Sequence, residues 1–226
     1  VRGDTDLMGL SWGGLFTYSY LPGKRRQLKK KLKREIRAQI AQAQKAIDKC
    51  VEIANWHGVA CEQKGLRLDS HQHAHMIPVV WEAVLEVVRE EGFPLSYIRN
   101  SKEVLGVFLA QRSLWKTYRL VNFVKNRLLS FYAHKVDRYY ASQGMEQMYL
   151  WGLVMSGRMD KARIEILYPK MLQKARQDGR TLEILFHPGL TLREEATPEI
   201  AKEAADDFYM RKDRHVEKAA VLQWKR

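Results

Sequence analysis

An acid and three histidines stand close together in the first half of the chain. Asp69, His71, His73 and His75 occupy alternate positions. Imidazole nitrogen is a common ligand of divalent transition metals, and a nearby carboxylate can bind the metal or orient a histidine ring. The spacing therefore predicts a metal-binding or catalytic site. The plainer interpretation is a polar loop in which histidines meet by chance.

The residues around this cluster predict the elements that position it. Leu66 and Leu68 alternate as in a short strand, and Pro78 followed by aliphatic residues at helical spacing indicates the first turn of a helix. The histidines thus lie where a strand ends and a helix begins. In an extended segment all three rings would point to one side, and in a helical turn His71 and His75 would share a face. Both geometries would let the rings converge on one metal ion.

Two further side chains follow predicted strands. His187 comes at the end of a strand expected over 181–186, which the following Pro-Gly pair terminates, and Arg99 ends a short strand over 95–99. Because the carboxyl ends of parallel strands meet at one edge of a sheet, we expect both residues to face the pocket of the histidine cluster. Two alternatives stay open. His187 would then be a hydrogen-bonded histidine at a strand end with no catalytic role, and Arg99 would be an ordinary surface residue.

The rest of the chain predicts helices alternating with strands, which indicates a mainly parallel sheet. Helices are expected over about 22–56, 78–91, 114–140 and 160–177, and from Thr197 onward. A further strand is expected over 147–155, the segment 105–110 fits either element, and the segment 216–224 is a last helix or strand.

Two motifs carry these histidines: Asp-Ser-His-Gln-His-Ala-His-Met-Ile-Pro at 69–78 and Leu-Phe-His-Pro-Gly at 185–189. Together they resemble the motifs of the YdjC-like carbohydrate deacetylases, a group that includes chito-oligosaccharide deacetylases and the deacetylase associated with hopanoid biosynthesis. The resemblance extends over most of the chain. It implies an α/β fold that is (β/α) barrel-like, similar to a TIM barrel, with a mainly parallel sheet surrounded by helices.

The resemblance also implies an activity. The protein would be a hydrolase that uses a divalent metal ion, Mg or Zn, to remove acetyl groups from an N-acetylated oligosaccharide or glycoconjugate. Such a metal polarises the acetamide carbonyl and activates the attacking water. A base must take the proton of this water, and an acid must protonate the departing amine.

Individual residues take expected roles from the same resemblance. His71, directly after Asp-Ser, is the first choice for a metal ligand, and His75 is the choice for a second ligand or an orienting residue. His187 would act as general acid or stabilise the tetrahedral oxyanion. Three residues are expected to bind substrate or support the ligands: Asp69, His73 and Arg99. Asp69 could instead cap the turn.

One part of the family pattern is missing. In the resembled enzymes an aspartate pair near the N-terminus supplies the base and a metal ligand, whereas Asp4 and Asp6 are separated by Thr5 and follow no strand. We therefore expect residues 1–226 to form a single carbohydrate-deacetylase-like domain that is incomplete at its N-terminus. The alternative function is a non-catalytic carbohydrate-binding relic or interaction domain of the same fold.

Length and composition indicate one ordinary globular domain. The 226 residues are 46% hydrophobic and 29% charged, and no apolar run reaches the length of about 20 residues that crosses a membrane. The sequence does not open on a signal segment, so we expect a cytoplasmic protein. The 2 cysteines are too few for a disulfide framework. Homo-oligomerisation is left open.

The net charge of +13 raises nucleic acid and anionic membranes as partners. Much of the excess lies at 24–37, which we interpret as the solvated basic face of an amphipathic helix. Basic and aromatic residues also alternate over 112–140. One apolar stripe is predicted there: Leu120, Val124, Leu128 and Phe131. At helical spacing such a pattern usually forms a core stripe with a solvated flank, which argues against nucleic-acid binding. A groove for a long or anionic glycan is an equal alternative for these residues.

Overall fold

The computed structural model describes Leu7 and residues 10–61, 65–188 and 213–224. The chain divides into two compact units, Val1–Arg99 and Asn100–Arg226, and each is described by itself. The fold is mixed α/β and mostly helical, with short parallel strands. The helices are α1 Trp12–Tyr18, α2 Pro22–Trp56, α3 Pro78–Glu90, α4 Leu105–Ala110, α5 Leu120–Ser142, α6 Lys161–Gln177 and α7 Asp213–Gln223. The strands are β1 Leu66–Leu68, β2 Leu95–Ile98, β3 Met148–Trp151 and β4 Thr181–Ile184.

The first unit contains α1 to α3 and the parallel pair β1 and β2. Helix α2 has Pro22 in its first turn, where a missing N–H costs no helical hydrogen bond, and it ends before Gly58 at φ 69°. Helix α3 likewise begins with Pro78 and stops before Gly92 at φ 68°. These helices and both strands confirm the predicted elements.

The core of the first unit forms between α2 and α3. Leu28, Leu32 and Ile40 of α2 are buried, and α3 is buried along one side that includes Ala83 and Val87. Burying such aliphatic side chains contributes about 1.5–3 kcal/mol each, which makes this contact the main stabilising feature of the unit.

Ion pairs border the same contact. The pairs join Arg25 and Lys29 to Glu82, Lys29 and Lys33 to Glu86, Lys33 and Arg37 to Glu90, and Arg37 to Glu91. The basic face of α2 that was predicted to be solvated is therefore partly neutralised within the chain. Sequence spacing showed the basic face, but the acidic partners stand on a different helix.

The second unit contains α4 to α7 and the parallel pair β3 and β4. Its core is rich in large side chains, with Phe108, Trp151, Met155, Leu167 and Met171 fully buried. The sequence left two segments open: 105–110 forms helix α4, and 216–224 is helical in α7 up to Gln223.

Two strand predictions for this unit need correction. Strand β3 ends at Trp151, well before the predicted end at Met155, because Gly152 at φ 145° breaks the extended backbone. Strand β4 ends at Ile184 and not at the predicted residue 186, and it is half-buried.

Helix α5 differs from its prediction in its start and in its buried side. It was expected over 114–140 but begins at Leu120, after a separate 3₁₀ segment, Arg112–Thr117. The residues buried along it are Asn126, Leu129, Tyr132, Ala133, Val136 and Tyr140. The predicted stripe has the expected spacing, but Leu120, Val124 and Phe131 are exposed. Helical periodicity identifies a common face without showing which side meets the core. The expectation that this stripe forms the core is wrong.

The fold expectation is confirmed in its general form. Parallel strands occur with helices, as two separate two-stranded sheets, and the described residues contain no closed barrel. The predicted helix from Thr197 and Gly189 of the second motif lie outside the described residues, as do Asp4 and Asp6. None of the described helices combines the length and apolar character needed to cross a membrane.

Candidate active-site regions

The first region lies at the carboxyl ends of β1 and β2. The Arg99 N–H donates to the Leu68 carbonyl oxygen at 3.0 Å, directly beyond the last residue pair of the sheet. The Arg99 guanidinium forms an ion pair with the Asp69 carboxylate. Arg99 therefore emerges on the same edge as the histidine motif, as predicted, and its charge is directed at Asp69.

Beyond β1 the chain turns through a 3₁₀ segment, His71–Met76, before α3 begins. Gln72 and His73 have φ values of 52° and 59°, in the left-handed region. Each such residue costs about 1 kcal/mol or more unless its surroundings hold it, so two in succession mark a tightly held turn. This backbone is neither the extended segment nor the helical turn considered from the sequence.

The turn separates the three histidines. The His71 ring is exposed, whereas His73 and His75 are only 5% and 3% exposed. The centroids of the two buried rings lie 6.4 Å apart. The prediction that the rings share one face is therefore wrong, because the reversal at Gln72 places His71 in a different environment from the other two.

Both ring nitrogens of His75 are hydrogen-bonded. Nε2 lies 2.7 Å from the Arg99 carbonyl oxygen, and Nδ1 lies 2.6 Å from Ser70 Oγ. Because a carbonyl oxygen can only accept, Nε2 carries the proton and Nδ1 accepts from the serine hydroxyl. Ser70 Oγ in turn accepts from the His75 backbone N–H at 2.9 Å. This arrangement fastens the turn to the end of β2, and a metal at His75 would have to replace one of these bonds.

His71 offers a different chemistry. Its ring is exposed and has no hydrogen-bond partner among the described residues, so a nitrogen is available to a ligand. Within the described part of the chain, no group of three or more His, Cys, Asp or Glu side chains is placed to hold a metal ion. Among the described residues, the first motif thus offers His71 as an available metal ligand but not a complete ligand set.

The second region lies at the carboxyl ends of β3 and β4. The Leu185 N–H donates to the Trp151 carbonyl oxygen at 2.8 Å, which continues the pairing past the strand ends. A Cβ at Gly152 would overlap the Leu185 carbonyl oxygen, so only glycine permits this approach. The close contact sets the path of the chain two residues before His187.

His187 lies beside a buried carboxylate on α7. Its backbone N–H donates to Glu217, and its ring Nδ1 lies 3.6 Å from Glu217 Oε2. Glu217 is fully buried and is also 3.5 Å from the Met159 N–H. Ser156 Oγ approaches the same ring nitrogen at 3.5 Å. Nδ1 is thus turned towards an acid and a hydroxyl, and Nε2 has no hydrogen-bond partner among the described residues.

A second buried carboxylate fixes the loop after β3. Glu103 Oε1 accepts from the N–H groups of Gly152 and Leu153 at 2.7 and 3.0 Å. Oε2 accepts from the Val154 N–H at 2.9 Å and from Asn126 Nδ2 at 2.8 Å. Burial raises the pKa of Glu103, while these donors act in the opposite direction by favouring the carboxylate. Glu103 therefore orders the loop that leads to Ser156.

A third carboxylate stands at the amino end of the same strand pair. Asp137 accepts from Asn100 at 2.7 Å, from Lys102 at 2.6 Å and from two nitrogens of Arg180 at 2.8 and 3.1 Å. Burial alone would raise the pKa of Asp137, but the hydrogen bonds and charges of Arg180 and Lys102 outweigh it and hold the pKa below its usual value.

A comparison with known families matches the two motifs. A family model described as YdjC-like protein matches residues 62–224. The chain belongs to the YdjC-like family. The matched range includes both histidine motifs, so the resemblance read from those motifs is confirmed. Searches among curated proteins and among solved structures gave no significant match.

Membership of the YdjC-like family suggests a carbohydrate deacetylase-type function. Within the YdjC-like chain, the structure brings Asp69, His75 and Arg99 into one hydrogen-bonded group in the first unit. In the second unit it brings His187 together with Glu217. The expectation of one pocket shared by both motifs stays a prediction.

Sequence reasoning missed Ser70, Glu103 and Glu217, which support these histidines and loops. Ser70 stands inside the first motif, so its place in the Asp-Ser-His triplet was an available signal. Glu103 and Glu217 are distant in sequence from the residues they bind. A lone glutamate carries no local pattern that distinguishes a buried partner from a solvated charge.

Proposed function

We propose that this YdjC-like protein is a carbohydrate deacetylase that hydrolyses the acetamide group of an N-acetylated oligosaccharide or glycoconjugate. One observation carries the proposal: a single family match spans two histidine motifs, each of which follows a strand of a parallel pair. Carboxyl ends of parallel strands are the usual place for active sites in α/β folds. We also propose that residues 1–226 belong to one barrel-like domain and that the protein is cytoplasmic.

In this proposal His187 supplies the general acid. Its Nε2, the ring nitrogen directed away from Glu217, would protonate the departing amine of the sugar. Glu217 orients the ring through the backbone N–H and Nδ1 and stabilises the positive charge that the protonated ring carries. A buried carboxylate suits this role because it is held in place and shielded from solvent.

His71 is the proposed metal ligand, since its exposed ring is available among the described residues. A divalent ion such as Mg or Zn would supply activation of the attacking water. His75, whose nitrogens fasten the turn, would serve mainly to position His71 and would bind the metal only after losing a hydrogen bond. Asp69 and Arg99 would form the rim that contacts substrate, with His73 behind them.

Acetate release from chito-oligosaccharides, with metal content measured in parallel, tests the proposal. His71→Ala should lower metal content and abolish acetate release. His187→Ala should retain metal and lower kcat by about 100-fold or more, because a general acid contributes about 10²–10⁴. Matched controls are His57→Ala for the first unit and His134→Ala for the second, two exposed histidines outside the motifs.

The alternative of a non-catalytic carbohydrate-binding protein predicts a different result. Chito-oligosaccharides would bind to the wild-type protein, but no acetate would appear with any divalent metal. Absence of acetate together with intact sugar binding would therefore replace the deacetylase proposal. Absence of both acetate release and sugar binding would contradict both proposed functions.

A further inference from the structure

An exposed apolar surface occupies one side of the second unit. We define it as the α5 outer surface, made of Leu109, Trp115, Leu120, Val121, Val124 and Phe131. Its most exposed member, Leu120, is 82% exposed, and Trp115 is 51% exposed. Beside it, Leu109, Trp115, Tyr118, Leu120 and Phe123 line an apolar cleft of about 370 Å³. Single exposed apolar residues are common, but a contiguous group of this kind usually marks a contact site.

This surface is not the core face of α5. The helix packs through the side that carries Leu129, Tyr132 and Val136, while Leu120, Val124 and Phe131 point the other way. An amphipathic helix needs only one apolar side to join a core. The second apolar side is exposed among the described residues, which leaves it open to a partner.

Charge indicates the kind of partner. Between Val104 and Val136 the sequence contains no Asp or Glu. Its basic residues in that interval are Arg112, Lys116, Arg119, Lys125, Arg127 and Lys135. The Arg112 guanidinium lies 5.9 Å from the centre of the exposed Trp115 ring. Exposed apolar side chains with exposed cations near them in the chain, such as Arg112, Lys116 and Arg127, match the boundary between lipid headgroups and acyl chains.

Other occupants fit less well. A second copy of the chain would bring the same cations face to face, which like-charge repulsion opposes. A nucleic acid would gain from the basic residues and from the rings of Trp115 and Phe131, but the exposed aliphatic side chains Leu120, Val121 and Val124 would gain nothing from a charged phosphate backbone.

We propose that the α5 outer surface docks on the surface of an anionic phospholipid bilayer. Leu120, Val121 and Val124 enter the outer acyl region together with Trp115. The surrounding Lys and Arg side chains meet the lipid phosphates. Docking of this kind is peripheral and needs no membrane-spanning helix.

Co-sedimentation of the full chain with lipid vesicles tests the proposal. Vesicles of phosphatidylcholine alone are compared with vesicles that also contain phosphatidylglycerol. We expect the wild type to bind the anionic vesicles, with binding that weakens as salt increases. Leu120→Ser with Val124→Ser removes apolar contact at constant charge, and Lys116→Glu with Arg127→Glu reverses charge. Each pair should lower partitioning by about tenfold or more.

The matched control is Lys45→Glu with Lys49→Glu, which makes the same change in net charge on exposed residues of α2. It should bind like the wild type, and circular dichroism should show every variant folded. Failure of the wild type to bind anionic vesicles, or equal losses in the control and surface variants, would overturn the proposal. A smaller oligomer in Leu120→Ser with Val124→Ser, with vesicle binding unchanged, would assign the surface to a second copy instead.

Discussion

The β1–β2 edge and the β3–β4 edge are built alike but hold their histidines differently. In each, a parallel strand pair ends beside a histidine. A close backbone approach at a glycine is found at the β3–β4 edge, where Gly152 meets Leu185. His75 is held by two neutral groups, a serine hydroxyl and a backbone carbonyl. His187 is held by a fully buried carboxylate and keeps Nε2 available. The comparison indicates a positioning role for His75 and a proton-transfer role for His187.

The two edges also differ in how the surrounding chain is anchored. Ion pairs at the surface of α2 and α3 border the core of the first unit, and such pairs individually contribute little. In the second unit Glu103 and Asp137 are carboxylates with several hydrogen bonds each, one at either end of the β3–β4 pair. Removing one partner from a buried polar group costs far more than removing a surface pair. Single substitutions should therefore affect the second unit more strongly.

The largest expected loss of stability comes from Gly152→Ala. The added Cβ would overlap the Leu185 carbonyl oxygen, and the backbone at φ 145° is essentially restricted to glycine. We expect the free energy of unfolding in urea to fall by at least about 3 kcal/mol.

Gly144→Ala is the matched control for that substitution. Gly144 has a positive φ of 63°, but no atom lies within 4 Å of the position that an added Cβ would take. Gly144→Ala should therefore lower the free energy of unfolding by only about 1–2 kcal/mol, through backbone strain. Equal losses at Gly144 and Gly152 would contradict the close approach that shapes the His187 edge.

Asp137→Asn should have the next largest effect. The amide cannot neutralise Arg180 and Lys102, and we expect a loss of about 2–3 kcal/mol at neutral pH. Because the folded-state pKa of Asp137 is lowered, its stabilisation is present above the unfolded pKa of about 3.9 and is lost as the pH falls through the folded value. The difference between the variant and the wild type should therefore shrink in acid. Urea titrations across this pH range measure it, and a constant difference would count against the ion pairs.

Ser70→Ala should produce an intermediate effect in the first unit. It removes the bonds to both His75 Nδ1 and the His75 backbone N–H, so we expect a loss of about 1–2 kcal/mol. Ser142→Ala, which removes exposed local bonds to Tyr139 and Gln143, is the control and should change stability little. Faster amide exchange at 71–76 in Ser70→Ala would show that the turn has loosened. Unchanged exchange would count against the serine as its anchor.

The smallest effect is expected for Lys33→Ala. Lys33 bridges Glu86 and Glu90, and these contacts raise the pKa of Lys33 above its ordinary value, led by the bond to Glu90. Screening by water and salt weakens such a bridge. The midpoint temperature of thermal unfolding should fall only slightly in low salt and should not change in high salt. A large shift that persists in high salt would mean that these ion pairs stabilise the first unit more than the comparison of the two edges indicates.

Several elements could be predicted because their signals are local. Pro22, Gly58 and Pro78 mark helix ends through their own backbone preferences, and these bounds were confirmed. The strand at 95–98 and the motif histidines at strand ends followed from the same kind of local pattern. Family membership could also be read from two short motifs.

The remainder depends on tertiary contacts that no local pattern records. The stripe through Leu120 and Phe131 had the right period, but which side of α5 meets the core is decided by neighbouring elements. The left-handed turn at Gln72 separated His71 from His75 without any glycine to announce it. Glu217 reaches His187 only through folding, since 30 residues separate them in the chain.

The most direct measurement of the difference between the two edges is the kinetics of acetate release by Glu217→Gln and by Ser70→Ala, each with its KM and its pH profile. If Glu217 positions a proton-donating His187, Glu217→Gln should lower kcat by about 100-fold with KM nearly unchanged and should alter the pH profile. Ser70→Ala should lower the free energy of unfolding and change kcat little. A Glu217→Gln enzyme with the kcat and pH profile of the wild type would contradict the proton-transfer role of His187.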